Sequence, residues 1–288
     1  NPDIVHTHGT VTGRISGKLC GKKVVYTRHS VFPVSPSIKK GLGRMLNKYL
    51  NEFLADDIIA VAEAAKENLT DGGIAPEKIK VILNGVEPLQ KASQQEIDSM
   101  KEKYHISQKD FVIGILARLD AVKGHQYLIE AAQELKKEGR SFKVLIAGTG
   151  ENEQTLKALV KQKQLEDTVI FTGFLSEVRV FLSILDIQAN ASYGTEATSL
   201  ALLEGMSIGL PAVVSNYGGN PGVIIHGENG YLFESQNSQD LLNYLKKAMD
   251  DTKTYQYMQK RAKEIFQQKF TAKMYARNIE KVYEGLFS

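Results

Sequence analysis

The sequence predicts an α/β protein with two Rossmann-like domains in tandem, their parallel sheets facing across a cleft. Three observations carry this. Short β-rich runs alternate with helical patterns through most of the 288 residues. One polar stretch, NGVEPLQKASQQEIDSMKEKYHISQKD, interrupts the alternation and sets a domain boundary near Pro88. The chemically distinctive residues fall just after strands, where open α/β sheets place their ligands.

DIVHTH, KVVYTR, DIIAV and IKVIL read as the strands of the first domain, being short β-branched runs bounded by turn residues. FVIGIL, KVLIAG, VIFTG, DIQANAS and PAVVS read as those of the second. HQYLIEAAQELKKEG and NEQTLKALVKQKQL supply helical periodicity between them. After PAVVS the pattern reads as helical to the end. Repeats and low-complexity tracts are absent from the sequence.

The net charge of +3 hides an asymmetry. Residues 1–51 carry nine Lys and Arg against the single acid Asp3, so the remainder is mildly acidic. Such a front end suits an anionic surface or ligand, and no nucleic-acid partner is expected. No run approaches the ~18 apolar residues of a membrane span, and no signal peptide is visible. The lone Cys20 cannot form an internal disulfide, which fits a cytoplasmic protein. His6 and His8 alternate on a strand with Asp3 nearby but no further ligands, so no metal site is expected.

In ARLDAVKG, Arg118 and Lys123 fall in the turn after FVIGIL, with Gly124 at the start of the next helix. Two cations beside a helix N-terminus make an anion site; a solvated basic turn is the other reading. Gly148-Thr149-Gly150 lacks the third glycine and the distant acid of a dinucleotide fingerprint, so it reads as a tight turn. VIFTGFL puts Thr172, Gly173 and Phe174 at a strand end, where they could meet a flat base. DIQANAS runs into the loop Tyr193 to Ala197, and Thr198 or Ser199 is the expected N-cap of a helix whose Ser199 and Leu200 amides face an anion. Glu196 precedes that end and Glu204 lies one to two turns inside it. A carboxylate placed there can grip vicinal hydroxyls through two charge-assisted hydrogen bonds, or pair with a lysine of a neighbouring helix. Nearer the start, SIKKGLGRMLNKYLNEFL sets Ile38, Leu42, Met45, Leu46, Tyr49, Leu50 and Phe53 on one helical stripe, with Lys40, Arg44 and Lys48 opposite. A core-packed helix with a solvated basic back is the first reading of 38–54, and weak contact with an anionic membrane surface the second.

YGTEATSLALLEGMSIGLPAVVSNYGGNPGVIIHGENGYLF resembles the donor-site motif of the family-4 retaining glycosyltransferases, which have the GT-B fold. ARLDAVKG resembles that family's phosphate-contacting turn, ILNGVE its hinge segment, and NPDIVHTHG and VVYTRHS two N-domain strand ends. The resemblance implies a partial N-terminal acceptor-side domain over 1–88, a donor-binding domain over 89–270, and a helix over 271–288 that packs back on the first. It implies a nucleotide-diphosphate sugar donor, UDP-linked, and a glycan or lipid-linked acceptor, with no cofactor. Glu204 would bind the ribose hydroxyls and Glu196 the donor sugar. Arg118 and Lys123 would hold the diphosphate, helped by the Ser199 and Leu200 amides. His29 would contact the donor sugar and assist acceptor activation, and His8 would shape the cleft floor. The catalytic set is therefore His29, Glu196, Arg118 and Lys123.

Departures from the family pattern are equally specific. Gly222 stands where many members carry a glutamate, and Ala62 where a serine is common. The family's first strands and glycine-rich loop do not precede Asn1, so an incomplete N-terminal domain is expected. A sugar-nucleotide epimerase on the same scaffold and a donor-binding protein without transfer are the rival readings.

Overall fold

The computed structural model describes residues 2–287 and divides them into two compact units. The first takes in residues up to Gly85, the short segment Thr195–Thr198 and the chain from Lys269 onward; the second comprises Val86–Gly194 and Ser199–Gln268. Asn1 and Ser288, at the ends of the expected domains, lie outside the described residues.

The chain opens with β1 (Ile4–His8), α1 (Val11–Leu19), β2 (Lys23–Arg28), α2 (Pro36–Lys39), α3 (Gly41–Leu54), β3 (Asp57–Ala60), α4 (Glu63–Asp71) and β4 (Ile79–Val81). The four strands pair in parallel in the order β1-β2-β3-β4. Period-2 alternation sorts their side chains. Tyr26, Ile58 and Ala60 pack with Ala65, Leu69 and Ile74 on one face, and Val25 and Ile59 with Ile82 on the other. That second face is closed by Ile279 and Val282 of α13 (Ala272–Gly285), the last helix of the chain. Thr271 caps α13 by accepting from the Met274 amide. Ala62 is the N-cap residue of α4 and offers no side-chain acceptor.

The basic amphipathic stretch departs from expectation twice. It is two helices, α2 and α3, because Lys40 is extended and Gly41 takes a left-handed φ of +64° that stops the helical path. Nor is it core-packed: Leu54 alone of α3 is buried, while Leu42, Met45, Leu46, Tyr49, Leu50 and Phe53 are all exposed.

The second unit contains α5 (Gln94–Lys103), β5 (Phe111–Leu116), α6 (His125–Lys137), β6 (Phe142–Ala147), α7 (Glu153–Gln162), β7 (Val169–Gly173), α8 (Arg179–Ile184), β8 (Ile187–Asn190), α9 (Leu200–Ser207), β9 (Ala212–Ser215), α10 (Asn220–Val223), β10 (Gly230–Phe233), α11 (Ser238–Asp250) and most of α12 (Thr252–Lys269). Its helix ends carry recognisable signals: Ser93 and Glu96 form a full capping box on α5, and Asn237 caps α11. The strands form an all-parallel sheet in the order β10-β9-β8-β5-β6-β7. Helices cover both faces, with Leu128, Leu156 and Leu241 over Ile113 and Ile115 on one, and Phe181 and Leu182 against Val112 and Leu145 on the other.

The C-terminal pattern is not helical throughout, because β10 follows β9. This four-residue strand sits at the sheet edge, pairing with Ala212–Ser215 along its length and bridging His226 at Gly230, too short a run for periodicity to distinguish from a turn.

Candidate active site

Strand order in the second unit reverses between β5 and β8. The chain leaves β5 toward β6 and β7 on one side, then returns to β8 and continues to β9 and β10 on the other. Such a switch point leaves a crevice at the strand C-termini, and the turns after β5 and β8 are those that carry Arg118, Lys123 and the YGTEATS loop.

Backbone contacts lock these turns together. The Tyr193 amide donates to the Val122 carbonyl at 2.9 Å. Gly124 has φ +68°, and a Cβ on it would stand 2.1 Å from the Ala191 carbonyl oxygen. On the other side the Leu119 amide donates to Thr149 and the Asn152 amide to Leu119, each at 2.9 Å. Gly148 and Gly150 are needed there, since a Cβ on either would meet the carbonyl oxygen of Ala117 at 2.0 Å or of Leu119 at 2.6 Å. The Gly148 amide then donates to Gly173 at the end of β7. The turns after β5, β6 and β7 thus form one continuous rim. The tight turn at Gly148–Gly150 supports the Arg118 loop, a role its sequence alone does not reveal.

On this rim Arg118 is exposed and ion-paired with Asp120 at 2.9 Å. Lys123 is half-buried in a short 3-10 turn. Thr172 directs its hydroxyl at the backbone carbonyls of Ile146 and Gly173, and Phe174 projects into solvent, 75% exposed. His125, the first residue of α6, is buried with neither ring nitrogen hydrogen-bonded; burial, and then Lys123, lower its pKa to about 4, so the ring is neutral.

At the opening of α9 one of the two expected N-cap residues holds the position. Thr198 is not its cap, because its hydroxyl donates to the Val61 carbonyl at 3.2 Å within the first unit. Ser199 is the N-cap residue, yet its side chain makes no capping bond. The first amides of α9 are therefore left to other acceptors. Leu200 is half exposed.

Glu204 lies one turn into α9, half-buried among Leu202, Leu203, Gly205 and Met206. Its carboxylate has no hydrogen-bond or ion-pair partner among the described residues, so the pairing with a lysine does not occur. Burial is what raises its pKa above the ordinary glutamate value. The carboxylate is held in a partly desolvated place with its acceptor capacity unused by the protein.

Glu196 and Thr198 do not group with these residues. The segment Thr195–Thr198 belongs to the first unit, where Thr195 bridges Val31 in antiparallel fashion and Glu196 is buried.

The first unit also holds His29. Its Nε2 shares a 2.7 Å hydrogen bond with His8 Nδ1, and His8 stacks on His6 with centroids 4.6 Å apart. Burial and then His8 lower the His29 pKa. His6 hydrogen-bonds Tyr283 of α13 at 2.6 Å through Nδ1 and Thr27 at 2.7 Å through Nε2. Among the described residues no group of three or more His, Cys, Asp or Glu is arranged to hold a metal ion.

Burial, with His8 and His29 adding to it, lowers the His6 pKa to about 4. Unfolded histidine titrates near 6.5, so the unfolded chain takes up this proton first as pH falls. The contribution is complete above about pH 6.5 and is lost progressively toward pH 4, for up to about 2 kcal/mol allowing for partial exposure. Thermal melts at pH 7 and pH 5 should show a smaller pH-dependent loss for His6→Gln than for wild type. Equal losses in both would assign the effect to other groups.

Comparison with known proteins shows the family and the fold. The profile described as Glycosyl transferases group 1 matches residues 96–265, and that of Glycosyltransferase Family 4 matches residues 1–89. The chain belongs to the group 1 glycosyl transferases. It is 29% identical over 243 residues to the EpsD protein of Bacillus subtilis, covering 81% of this chain but 63% of the relative's length. It is 30% identical over 261 residues to the UDP-Gal:alpha-D-GlcNAc-diphosphoundecaprenol alpha-1,3-galactosyltransferase of Escherichia coli, covering 86% of this chain and 67% of that one. The crystal structure of Anabaena Alr3699/HepE in complex with UDP superposes with a TM-score of 0.88 at 25% identity, over 98% of this chain and 79% of the other. The glycosyltransferase therefore has the GT-B fold, with two Rossmann-like parallel-sheet domains. No helix among the described residues is long and apolar enough to cross a membrane.

Proposed function

We propose that this glycosyltransferase moves a sugar from a UDP-sugar to a glycan or lipid-linked acceptor with retention of anomeric configuration. The observation that carries the reading is Glu204, a partly desolvated carboxylate without a partner among the described residues, beside a strand-order switch point. Vicinal ribose hydroxyls donate the two hydrogen bonds it lacks. Arg118 and Lys123 take the diphosphate with the amides of Ser199 and Leu200, and Thr172, Gly173 and Phe174 meet the base. The names of relatives point the same way: the Anabaena neighbour was crystallised with UDP, and the E. coli relative is named for a UDP-Gal donor and a diphosphoundecaprenol-linked acceptor.

In the reaction the bond between the anomeric carbon and the diphosphate oxygen breaks while the acceptor oxygen bonds the same carbon from the same face. The acceptor proton passes to the departing phosphate. Charge developing on that phosphate is neutralised by Arg118, Lys123 and the helix amides, without a metal ion. Glu196 holds the donor sugar, and His29 contacts it and orients the acceptor hydroxyl. Neither carboxylate is assigned as a covalent nucleophile of a two-carboxylate displacement. The exposed apolar residues of α3, with Lys40, Arg44 and Lys48, provide weak contact with an anionic membrane surface.

Calorimetric titration of UDP and GDP into the protein tests the donor assignment. UDP is expected to bind in the presence of EDTA, with GDP at least tenfold weaker. A folded protein that binds neither would sink the proposal.

A further inference from the structure

The first unit contains a cavity of about 390 Å³ between α1, β2, α3 and α4 that the donor reading does not use. Arg14 and Arg28 line it, and no Asp or Glu is among its described lining residues. Arg14 is only 5% exposed. One of its terminal nitrogens donates to Asn51 Oδ1 at 2.7 Å, its guanidinium lies 4.3 Å from the Tyr26 ring centroid, and its Nε has no partner. Arg28 repeats the arrangement: it donates to Asn68 Oδ1 at 3.2 Å, lies 5.1 Å from the Phe32 centroid, and also has an unpartnered Nε.

Among the described arginines that are not exposed, the absence of an acid sets these two apart. Arg140, Arg179 and Arg261 are all more exposed than Arg14, yet each is ion-paired to a carboxylate, Asp250, Glu96 and Glu228 respectively. Arg14 and Arg28 have no ion pair among the described residues. Burial pulls the Arg14 guanidinium below its ordinary pKa; Tyr26 opposes this, and the like charge of Arg28 adds to it. A buried cation without a counter-charge is strongly unfavourable, so a fold that orients the buried Arg14 and the half-buried Arg28 with neutral carboxamides and aromatic rings is prepared for an anion. Two planar guanidinium forks match the oxygens of a phosphate.

The cavity does not end at the arginines. Its Ile38, Asn47 and Leu50 are shared with an adjoining groove of about 420 Å³ whose other walls include Leu46 and Gly43. We propose that Arg14 and Arg28 bind the phosphate oxygens of a phosphate or diphosphate ester of a long-chain alcohol, whose hydrocarbon lies along Ile38, Leu46 and Leu50. This deepens the transferase reading, for which such an ester is the carrier of the acceptor. The binding itself does not depend on transfer.

The test uses the whole chain and three soluble probes, pyrophosphate, farnesyl diphosphate and farnesol, titrated calorimetrically with and without excess UDP. Farnesyl diphosphate is expected to bind at least tenfold more tightly than pyrophosphate and far more tightly than farnesol, with UDP present. Arg14→Met and Arg28→Gln should each weaken it tenfold or more while leaving UDP binding unchanged. Without ligand, Arg14→Met should melt no lower than wild type, since an unpaired buried charge is removed. A purely structural arginine would instead lower the melting temperature and leave farnesyl diphosphate binding intact, and that result would overturn the assignment. Equal affinity for pyrophosphate would show a site for free phosphate and overturn the lipid part; equal affinity for farnesol would overturn the role of the arginines. Should UDP fail to bind while farnesyl diphosphate binds through Arg28, the donor reading falls and this site stands.

Discussion

Glu204→Gln is expected to weaken UDP binding by at least tenfold and, in the nucleotide-free protein, to raise the melting temperature at pH 8. The two halves share one cause. A carboxylate accepting from two ribose hydroxyls makes charge-assisted hydrogen bonds worth about 1.5–3 kcal/mol each, and glutamine keeps the shape but loses the charge and one acceptor oxygen. Without nucleotide the carboxylate is partly desolvated and has no partner among the described residues. Its folded pKa is therefore raised above the unfolded value of 4.5. For a group shifted this way, stability is complete below the unfolded pKa and is lost as pH rises through the folded one. Glutamine does not titrate, so the variant's advantage should open above pH 4.5 and vanish below it. Calorimetry with UDP and melts across pH 4 to 8 check both halves. Unchanged affinity would remove the ribose assignment, whereas unchanged affinity together with a lowered melting temperature would make Glu204 a structural residue.

The same residue shows how far the sequence reaches. A charge between Leu202, Leu203, Gly205 and Met206 is anomalous on reading, and the anomaly points to the site. The sequence does not decide between a ligand and a lysine partner, because that depends on which side chains the fold brings to α9. The strands from DIVHTH to PAVVS are legible because each is a short apolar run bounded by turn residues and alternating with helical patterns. GYLF is not, since four residues at a sheet edge carry no period. Arg14 illustrates a different limit. As one of nine basic residues in the first 51 it reads as part of a positive surface. Only the packing of α1 against β2 and α3 makes it a buried cation. Glu196 and Thr198 likewise look continuous with Ser199 and Glu204 along the chain, yet their contacts place them in the first unit, through the Val31 bridge and the Val61 carbonyl. Adjacency in sequence is a poor guide where a loop's neighbours are set by another strand.

Gly124→Ala is the substitution expected to damage the protein most, at about 3 kcal/mol or more, and comparison with Gly139→Ala isolates why. Both glycines have left-handed backbones, with φ of +68° and +71°. Any alanine there costs roughly 1–2 kcal/mol of backbone strain. Around Gly139 there is nothing within 4 Å of an added Cβ, so strain is the whole cost. At Gly124 the Cβ would stand 2.1 Å from the Ala191 carbonyl oxygen, and both partners are backbone, so neither can turn aside. The turn after β5 must then move off the turn after β8, breaking the Tyr193–Val122 hydrogen bond and shifting Lys123, the residue immediately before the glycine. Thermal melts should show a drop of about 6–12 °C or more for Gly124→Ala and about 2–8 °C for Gly139→Ala, at roughly 2–4 °C per kcal/mol for a protein of this size. Calorimetry below both transitions should find UDP affinity reduced in the first and intact in the second. Equal drops in the two variants would mean that the β5 and β8 turns can separate freely. The switch point would then not be the rigid platform on which the donor assignment to Lys123 rests.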